Sequence, residues 1–127
     1  MNQAKWLVYA GGVFFLIYGV LFTFYPIEVA TFISGSSPDT PSGVTDMRAT
    51  YGGMSFAAGS IMIILGSKAE SLSLGLKVVA ITLLYMAATR LYGMLNDGSP
   101  NIWMYLYFIG EVVFGAFALW LNHRQSR

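Results

Sequence analysis

Four long apolar segments dominate the hydrophobic pattern of this chain. A helix that crosses a bilayer needs about 20 predominantly apolar residues, with a lower limit near 17. The apolar segments approach or meet this requirement over residues 6–25, 49–65, 72–91 and 102–121. With their polar flanks they predict helices at about 5–25, 46–66, 72–95 and 101–122. We therefore expect an all-α, four-helix transmembrane bundle that occupies residues 1–127 as a single domain.

The one long connection in this pattern is the outer loop over residues 26–45. Its first part, 26–33, alternates apolar residues with Glu28 and Thr31, which favours a short helix in the membrane interface. The Ser-, Gly- and Pro-rich residues 34–43 that follow are typical of a flexible connector. We favour a plain surface loop, and a mobile lid over a pocket is the alternative.

The lysine and arginine residues are distributed unevenly between the two sides of the expected bundle. One side holds Lys5, Lys68, Lys77, Arg124 and Arg127. Because short cytoplasmic loops are enriched in Lys and Arg, this side is expected to be cytoplasmic, with both termini inside. Arg48 and Arg90 are the exceptions on the outer side, and such exceptions favour a role inside the bundle.

The composition excludes several classes of function. Only 10% of the residues are charged, whereas an ordinary soluble domain carries about 25%. The formal net charge of +1 leaves no basic patch for phosphates, so no nucleic-acid partner is expected. Cysteine is absent and the single histidine, His123, lies in the polar C-terminal tail. We therefore expect no metal site and no bound cofactor.

Glu111 is the candidate functional residue that the pattern singles out. It lies near the centre of the fourth apolar segment, where an ionised carboxylate costs roughly 2.5 to 3.5 kcal/mol. Arg48 and Arg90 lie on other helices from which they are expected to reach it. We predict a buried polar site in the outer half of the bundle that opens outward. Its predicted members are Arg48, Arg90, Glu111, Tyr51, Tyr92 and Asp97. A salt bridge that only fixes the helix arrangement explains Glu111 equally well.

Small residues at helical spacing accompany the predicted site. On the second helix they follow Arg48, and on the fourth helix they follow Glu111, at intervals that keep them on one face. Small residues let helix backbones approach closely in a membrane. Helix packing is therefore the predicted role of Gly52, Ser55, Gly59, Gly115 and Ala118.

Three short motifs carry a resemblance to a known group of proteins. They are Arg48-Ala49-Thr50-Tyr51-Gly52-Gly53, then Arg90-Leu91-Tyr92-Gly93 leading to Asp97-Gly98-Ser99-Pro100, and Glu111 in the last helix. In these elements the chain resembles an uncharacterised family of small bacterial four-helix membrane proteins, which is broadly similar to the DoxX-like group. The resemblance covers almost the whole chain and implies a location in the bacterial inner membrane. The wider group includes quinone-linked oxidoreductase subunits, which implies an accessory role.

Three functions compete on this reading of the sequence. The favoured one is a non-catalytic membrane protein that binds a lipophilic or anionic small molecule, or that serves as a subunit of a larger membrane complex. Its expected partners are the lipid bilayer, a lipophilic ligand or quinone, and further copies of itself or other subunits. The alternative is an intramembrane acid–base enzyme, such as an isomerase of a lipophilic substrate. A proton-coupled exporter fits less well, because the membrane glutamate of small multidrug transporters lies in their first helix.

Overall fold

The computed structural model describes residues 2–127, and helices account for nearly all of this part of the chain. The α-helices are α1 (Asn2–Phe24), α2 (Pro26–Ser34), α3 (Pro41–Met47), α4 (Met54–Gly66), α5 (Leu72–Asn96) and α6 (Ile102–Gln125). A π-helical segment, Arg48–Gly53, joins α3 to α4 without a break, and a 3₁₀ turn, Ala69–Ser71, leads into α5. The prediction of an all-α fold is confirmed.

Four helical stretches are long and apolar enough to span a membrane, as the hydrophobic pattern predicts. They are Asn2–Phe24, Pro41–Gly66, Ala69–Asn96 and Ile102–Gln125. Large apolar side chains also cover the outside of the bundle, for example Trp6, Ile64 and Tyr85, whose exposed fractions are 74%, 65% and 70%. Lipid is the solvent that such a surface suits. Both observations indicate a membrane protein.

The outer connection contains more helix than the expected loop over 26–45. Pro26 begins α2 at a position where its missing N–H costs nothing, and Gly35 ends α2 with a positive φ of 86°. The second spanning stretch begins at Pro41 rather than near residue 46, because the Thr40 hydroxyl caps it by accepting a hydrogen bond from the Gly43 N–H at 3.1 Å. Only residues 35–40 remain non-helical.

Helix α1 packs closely against the π segment and α4 through glycines on both sides. A Cβ on Gly59 would lie 2.7 Å from the Gly12 carbonyl oxygen and 2.8 Å from the Leu16 nitrogen. A Cβ on Gly52 would lie 2.5 Å from the Thr23 hydroxyl. Since no side chain separates the helices at Gly59, their backbones are in direct van der Waals contact there. Two predicted packing residues, Gly52 and Gly59, therefore lie in this interface, and Ser55 between them is half-buried.

Helices α5 and α6 form the second closely packed pair. Gly115 of α6 faces Leu84, whose side chain would lie 2.8 Å from an added Cβ, and Ala118 is completely buried. The hydrophobic core where the two pairs meet is centred on fully buried Val8, Met62, Leu76 and Val79. This core fills the half of the bundle that contains the chain termini.

The two ends of the bundle carry different structures. At one end, the Ser73 hydroxyl at the start of α5 donates a 2.7 Å hydrogen bond to Asn122 near the end of α6, and Gly66 and Gly75 lie against Val8 of α1. We call this the terminus end, because α1 begins and α6 ends there. The opposite, connector end holds α2, α3 and the turn between α5 and α6.

Helix α2 crosses the connector end from α1 to α6. It begins one residue after α1 ends, and the Asn101 side-chain amide donates a 2.8 Å hydrogen bond to the Ile33 carbonyl oxygen. The rings of Phe32 and Trp103 are 5.1 Å apart between centroids. The C-terminal part of α2 is thereby attached to the first turn of α6.

Candidate functional site

An ion pair between Arg90 of α5 and Glu111 of α6 forms the polar centre of the bundle. The Arg90 Nε donates to both carboxylate oxygens at 3.1 Å, and Nη2 donates to Oε1 at 2.6 Å. The Glu111 side chain is only 5% exposed and that of Arg90 is 21% exposed. The short turn after α5 makes the two helices antiparallel neighbours, so residues that are 21 positions apart in the chain meet at the same depth.

This pair explains how a carboxylate is retained deep in an apolar helix. Glu111 lies nine residues after Ile102, or about 13.5 Å along the α6 axis. An unpaired charge at this depth is costly, whereas a guanidinium that holds both oxygens supplies charge-assisted hydrogen bonds with fixed geometry. The pair therefore links α5 to α6 one helical turn before Gly115, the first small packing residue of α6.

A cleft of about 320 Å³ lies beside the ion pair and is lined by α1, α5 and α6. Helix α5 forms its back wall, and the glycine Gly110 forms part of its floor. The lining residues are Leu7, Ala10, Gly11, Phe14, Phe15, Tyr18, Val79, Leu83, Met86, Arg90, Leu106, Tyr107, Gly110, Glu111 and Phe114. The volume lies in the range of small-molecule sites, about 300 to 1,000 Å³.

The polar groups of the cleft are gathered at one end of it. Leu7 and Val79 line the end nearer the termini, and Tyr18, Tyr107 and Arg90 line the end nearer the connectors. The Arg90 guanidinium lies 5.2 Å from the Tyr107 ring centroid, and the Tyr18 ring lines the same end of the cleft. The cleft is thus amphipathic along its length, with a long apolar part and a compact polar end.

The Arg90 guanidinium retains hydrogen-bonding capacity beyond Glu111. Its Nη1 faces the Met104 sulfur at 3.3 Å, and a thioether is only a weak acceptor. An arginine carries five N–H donors, of which the carboxylate occupies those on Nε and one side of Nη2. Glu111 therefore does not use the full hydrogen-bonding capacity of this guanidinium, which lines the polar end of the cleft.

The structure brings together two of the six predicted site residues, Arg90 and Glu111, and places the other four elsewhere. Arg48 is exposed and donates to the Thr23 carbonyl oxygen. Thr23 lies in the last turn of α1, where unpaired carbonyls and the helix dipole favour a cation. The π-helical segment that begins at Arg48 belongs to the same contact between α1 and the second span.

The remaining three predicted residues also lie outside the cleft. Tyr51 stacks on Phe22 of α1 with ring centroids 5.0 Å apart. Tyr92 is 71% exposed, and Asp97 is exposed in the turn after α5. Helical phase explains the difference for Tyr92: it lies two positions after Arg90, about 200° around the helix, and therefore on the opposite face.

The sequence analysis assigned neither Tyr18 nor Tyr107 to the site. A signal for Tyr18 was present in the spacing of α1. Leu7, Gly11, Phe14 and Tyr18 recur at intervals of four, three and four, so they form one face with a polar tip at its connector end. Nothing in the sequence shows that this face lines a cleft rather than a closed interface.

The opening of the cleft differs from the outward opening that we expected. The exposed lining residues lie on the facing flanks of α1 and α6: Ala10, Phe14, Leu106 and Phe114. No lining residue of α5 is exposed. The cleft is therefore open at its side, between α1 and α6.

The fold and site together define a class of small membrane protein: a four-helix spanning bundle with an internal ion pair beside an amphipathic cleft. The chain belongs to the family described as a domain of unknown function (DUF4345), which matches residues 3–122. No curated protein and no solved structure matches the chain significantly. The family agrees with the expected uncharacterised domain, and the likeness to the DoxX-like group stays a prediction.

Proposed function

We propose that this protein binds, without chemical conversion, a lipophilic small molecule that carries a compact, neutral polar head. The head lies against Arg90, Tyr18 and Tyr107, and the apolar part extends along the cleft toward Leu7 and Val79. The observation that carries this proposal is that Arg90, Tyr18 and Tyr107 lie together at one end of an otherwise apolar cleft. A ligand with carbonyl or hydroxyl groups meets hydrogen-bonding side chains at this end, and the rest of the cleft suits an apolar tail.

The charge balance of the cleft favours a neutral head over an anionic one. Among residues 2–127, Arg90 and Glu111 are the only charged ones that line it, and they neutralise each other. An added anion would lie close to the Glu111 carboxylate in a medium of low dielectric constant, where repulsion between like charges is strong. A carbonyl oxygen accepts from the Arg90 Nη1 without that repulsion. Quinones, which the DoxX-like resemblance implies, belong to this class of neutral ligands.

We propose further that the terminus end faces the cytoplasm of a bacterial inner membrane. Lys5 lies 5.8 Å from the Tyr9 ring centroid, and Arg124 lies 4.9 Å from that of Trp120. Aromatic residues paired with cations suit the headgroup region, and excess Lys and Arg mark the cytoplasmic side. Membership of a larger membrane complex or of a homo-oligomer stays a prediction.

The binding proposal is tested by filling the cleft without disturbing the helices. A Cβ added to Gly110 meets no heavy atom within 4 Å, and the same is true of Gly53, which lies outside the cleft. Gly110→Leu therefore places a side chain in the cleft, and Gly53→Leu is its matched control. Both variants are expected to fold, as judged by thermal unfolding in detergent.

Three probes that share a ten-carbon tail and differ in the head then report binding by native mass spectrometry. They are a decyl-substituted benzoquinone, 1-decanoylglycerol and decanoate. We expect the two neutral probes to bind the unaltered protein and the Gly53→Leu variant, and to bind Gly110→Leu at least tenfold more weakly. Equal binding to both variants contradicts the cleft as the site. Preference for decanoate contradicts the neutral head.

A further inference from the structure

The cleft is bordered at its side, between α1 and α6, by exposed apolar residues. Helix α1 is packed along α4, and α5 along α6, but α1 contacts α6 only sparsely. Phe14 on α1, and Leu106 and Phe114 on α6, border this gap, and their exposed fractions are 47%, 52% and 53%. We call the gap between these residues the lateral opening.

The connector end of the same gap is bridged by α2. Nine residues of helix extend about 13.5 Å, which exceeds the 8 to 10 Å that separate the axes of packed helices. Helix α2 is therefore long enough to reach from the end of α1 to the start of α6. The Asn101 hydrogen bond to Ile33 and the Phe32–Trp103 contact attach its far end. Helix α2 therefore spans the connector end of the gap between α1 and α6.

From these two features we infer that ligands reach the cleft sideways from the hydrocarbon core, through the lateral opening, and not from water past α2. This inference rests on the proposed binding function and specifies its route and its ligand class. The borders of the opening are apolar, so a hydrocarbon tail can lie in it without contacting polar groups. The head enters the polar end, and the tail remains free to extend through the opening into the bilayer.

A consequence for ligand selection follows from this geometry. The polar end is enclosed by Arg90, Tyr18 and Tyr107, so it restricts the size of the head. The lateral opening places no limit on the length of the tail. The ligand class is therefore a membrane-resident, single-tailed lipid with a small neutral head, rather than a water-soluble metabolite.

Two covalent locks distinguish the routes. Because the natural sequence has no cysteine, only the introduced thiols can react. The first lock joins Ala10→Cys to Phe114→Cys with a bifunctional thiol reagent and closes the lateral opening. The second joins Phe32→Cys to Trp103→Cys with the same kind of reagent and fixes α2 to α6. Protein in nanodiscs is then exposed to the decyl-substituted benzoquinone, and the rate of binding is followed by quenching of the fluorescence of the remaining tryptophans.

We expect the first lock to slow binding at least tenfold and the second to leave the rate within about twofold of the unlocked variants. The control for each lock is the same double-cysteine variant in which the two thiols are blocked separately and not joined. Slow binding with the α2 lock overturns the lateral route, and so does fast binding with both locks. If the unlocked proteins do not bind the probe at all, the proposed function is wrong, and the route is decided by a measurement that needs no ligand.

That measurement uses a nitroxide spin label attached to Gly110→Cys on the floor of the cleft. We expect frequent collisions with oxygen, which dissolves in the bilayer, and few with a water-soluble nickel complex. The nitroxide signal should also keep its collision rate with oxygen when the α2 lock is added. Access of the nickel complex to this label shows an aqueous route and overturns the inference.

Discussion

The two faces of α1 show opposite ways of building a membrane bundle. The face toward α4 presents Gly12 and Gly19, which lie against Gly59 and Gly52, and a methyl group added to Gly59 would collide with backbone atoms. The face toward α6 presents Phe14 and Tyr18, and it borders an open cleft. The same helix is therefore part of a close contact on one side and of an open cleft on the other.

The difference shows how a small bundle keeps a cavity without collapsing. Membrane helices gain stability from van der Waals contact and interhelical hydrogen bonds rather than from leaving water. The glycine interface supplies the contact that holds α1 in place. The Arg90–Glu111 pair holds α5 to α6 at the depth of the cleft, so α1 and α6 need not touch there. We call the side of the bundle where α1 packs on α4 the rigid side, and the side where α1 faces α6 the open side. Four predictions test this division.

The largest expected effect is the removal of one partner of the ion pair. Glu111→Ala leaves Arg90 half-buried and unpaired, and breaking a buried pair in this way costs about 3 to 5 kcal/mol. A large fall in unfolding free energy is expected in detergent or bicelles. The exposed Glu28 of α2 offers the control, because Glu28→Ala should change stability by less than about 0.5 kcal/mol. Similar stabilities for the two variants mean that the pair does not hold the open side together.

The next effect is expected on the rigid side. Gly59→Ala forces a methyl group against backbone atoms of Gly12 and Leu16, which cannot rotate away, and overpacking of this kind costs about 1 to 3 kcal/mol. Gly53→Ala, where the added methyl meets open space, should be neutral or slightly stabilising. Thermal unfolding of the two variants measures the difference. A tolerated alanine at 59 would show that α1 and α4 separate easily.

A paired substitution separates the structural from the binding role of the charges. Replacing both members, Arg90→Met with Glu111→Met, leaves no unpaired charge and should keep stability within about 1 to 2 kcal/mol of the original. Binding of the decyl-substituted benzoquinone is expected to fall at least tenfold, because the spare guanidinium donors are gone. If binding persists in this folded variant, the pair serves only to join the helices.

The smallest effect is expected from a single hydroxyl group at the polar end. Tyr18→Phe keeps the ring and removes one hydrogen bond, which is worth about 0.5 to 1.5 kcal/mol, or a two- to tenfold loss of affinity. Tyr85→Phe is the matched control on α5, since Tyr85 is 70% exposed and does not line the cleft. A titration of the same benzoquinone probe compares them. Equal affinities would place the head away from Tyr18.

The sequence predicted the elements of this protein well, and it predicted one pair of contacts between them. Apolar segments near 20 residues long allow little except spanning helices. A single acidic residue inside one of them requires a cationic partner, and Arg90 is the partner that the structure provides. Arg48 satisfied the same reasoning, but its side chain lies against the last turn of α1, where an unpaired carbonyl oxygen offers a competing acceptor. Charge and depth alone do not distinguish these two arginines.

What the sequence determined by itself was therefore the composition of each helix: its length, its small-residue stripes and the one charge that must be neutralised. Only the tertiary structure decided which faces of α1 and α6 would meet, and hence that Tyr18 lines a cleft while Tyr92 faces outward. The physical reason is that apolar periodicity identifies the helix face that avoids water. In a membrane every face of a spanning helix avoids water, so periodicity does not show which faces pack together. The choice of neighbour then depends on the close fit of whole helices, which no single segment encodes.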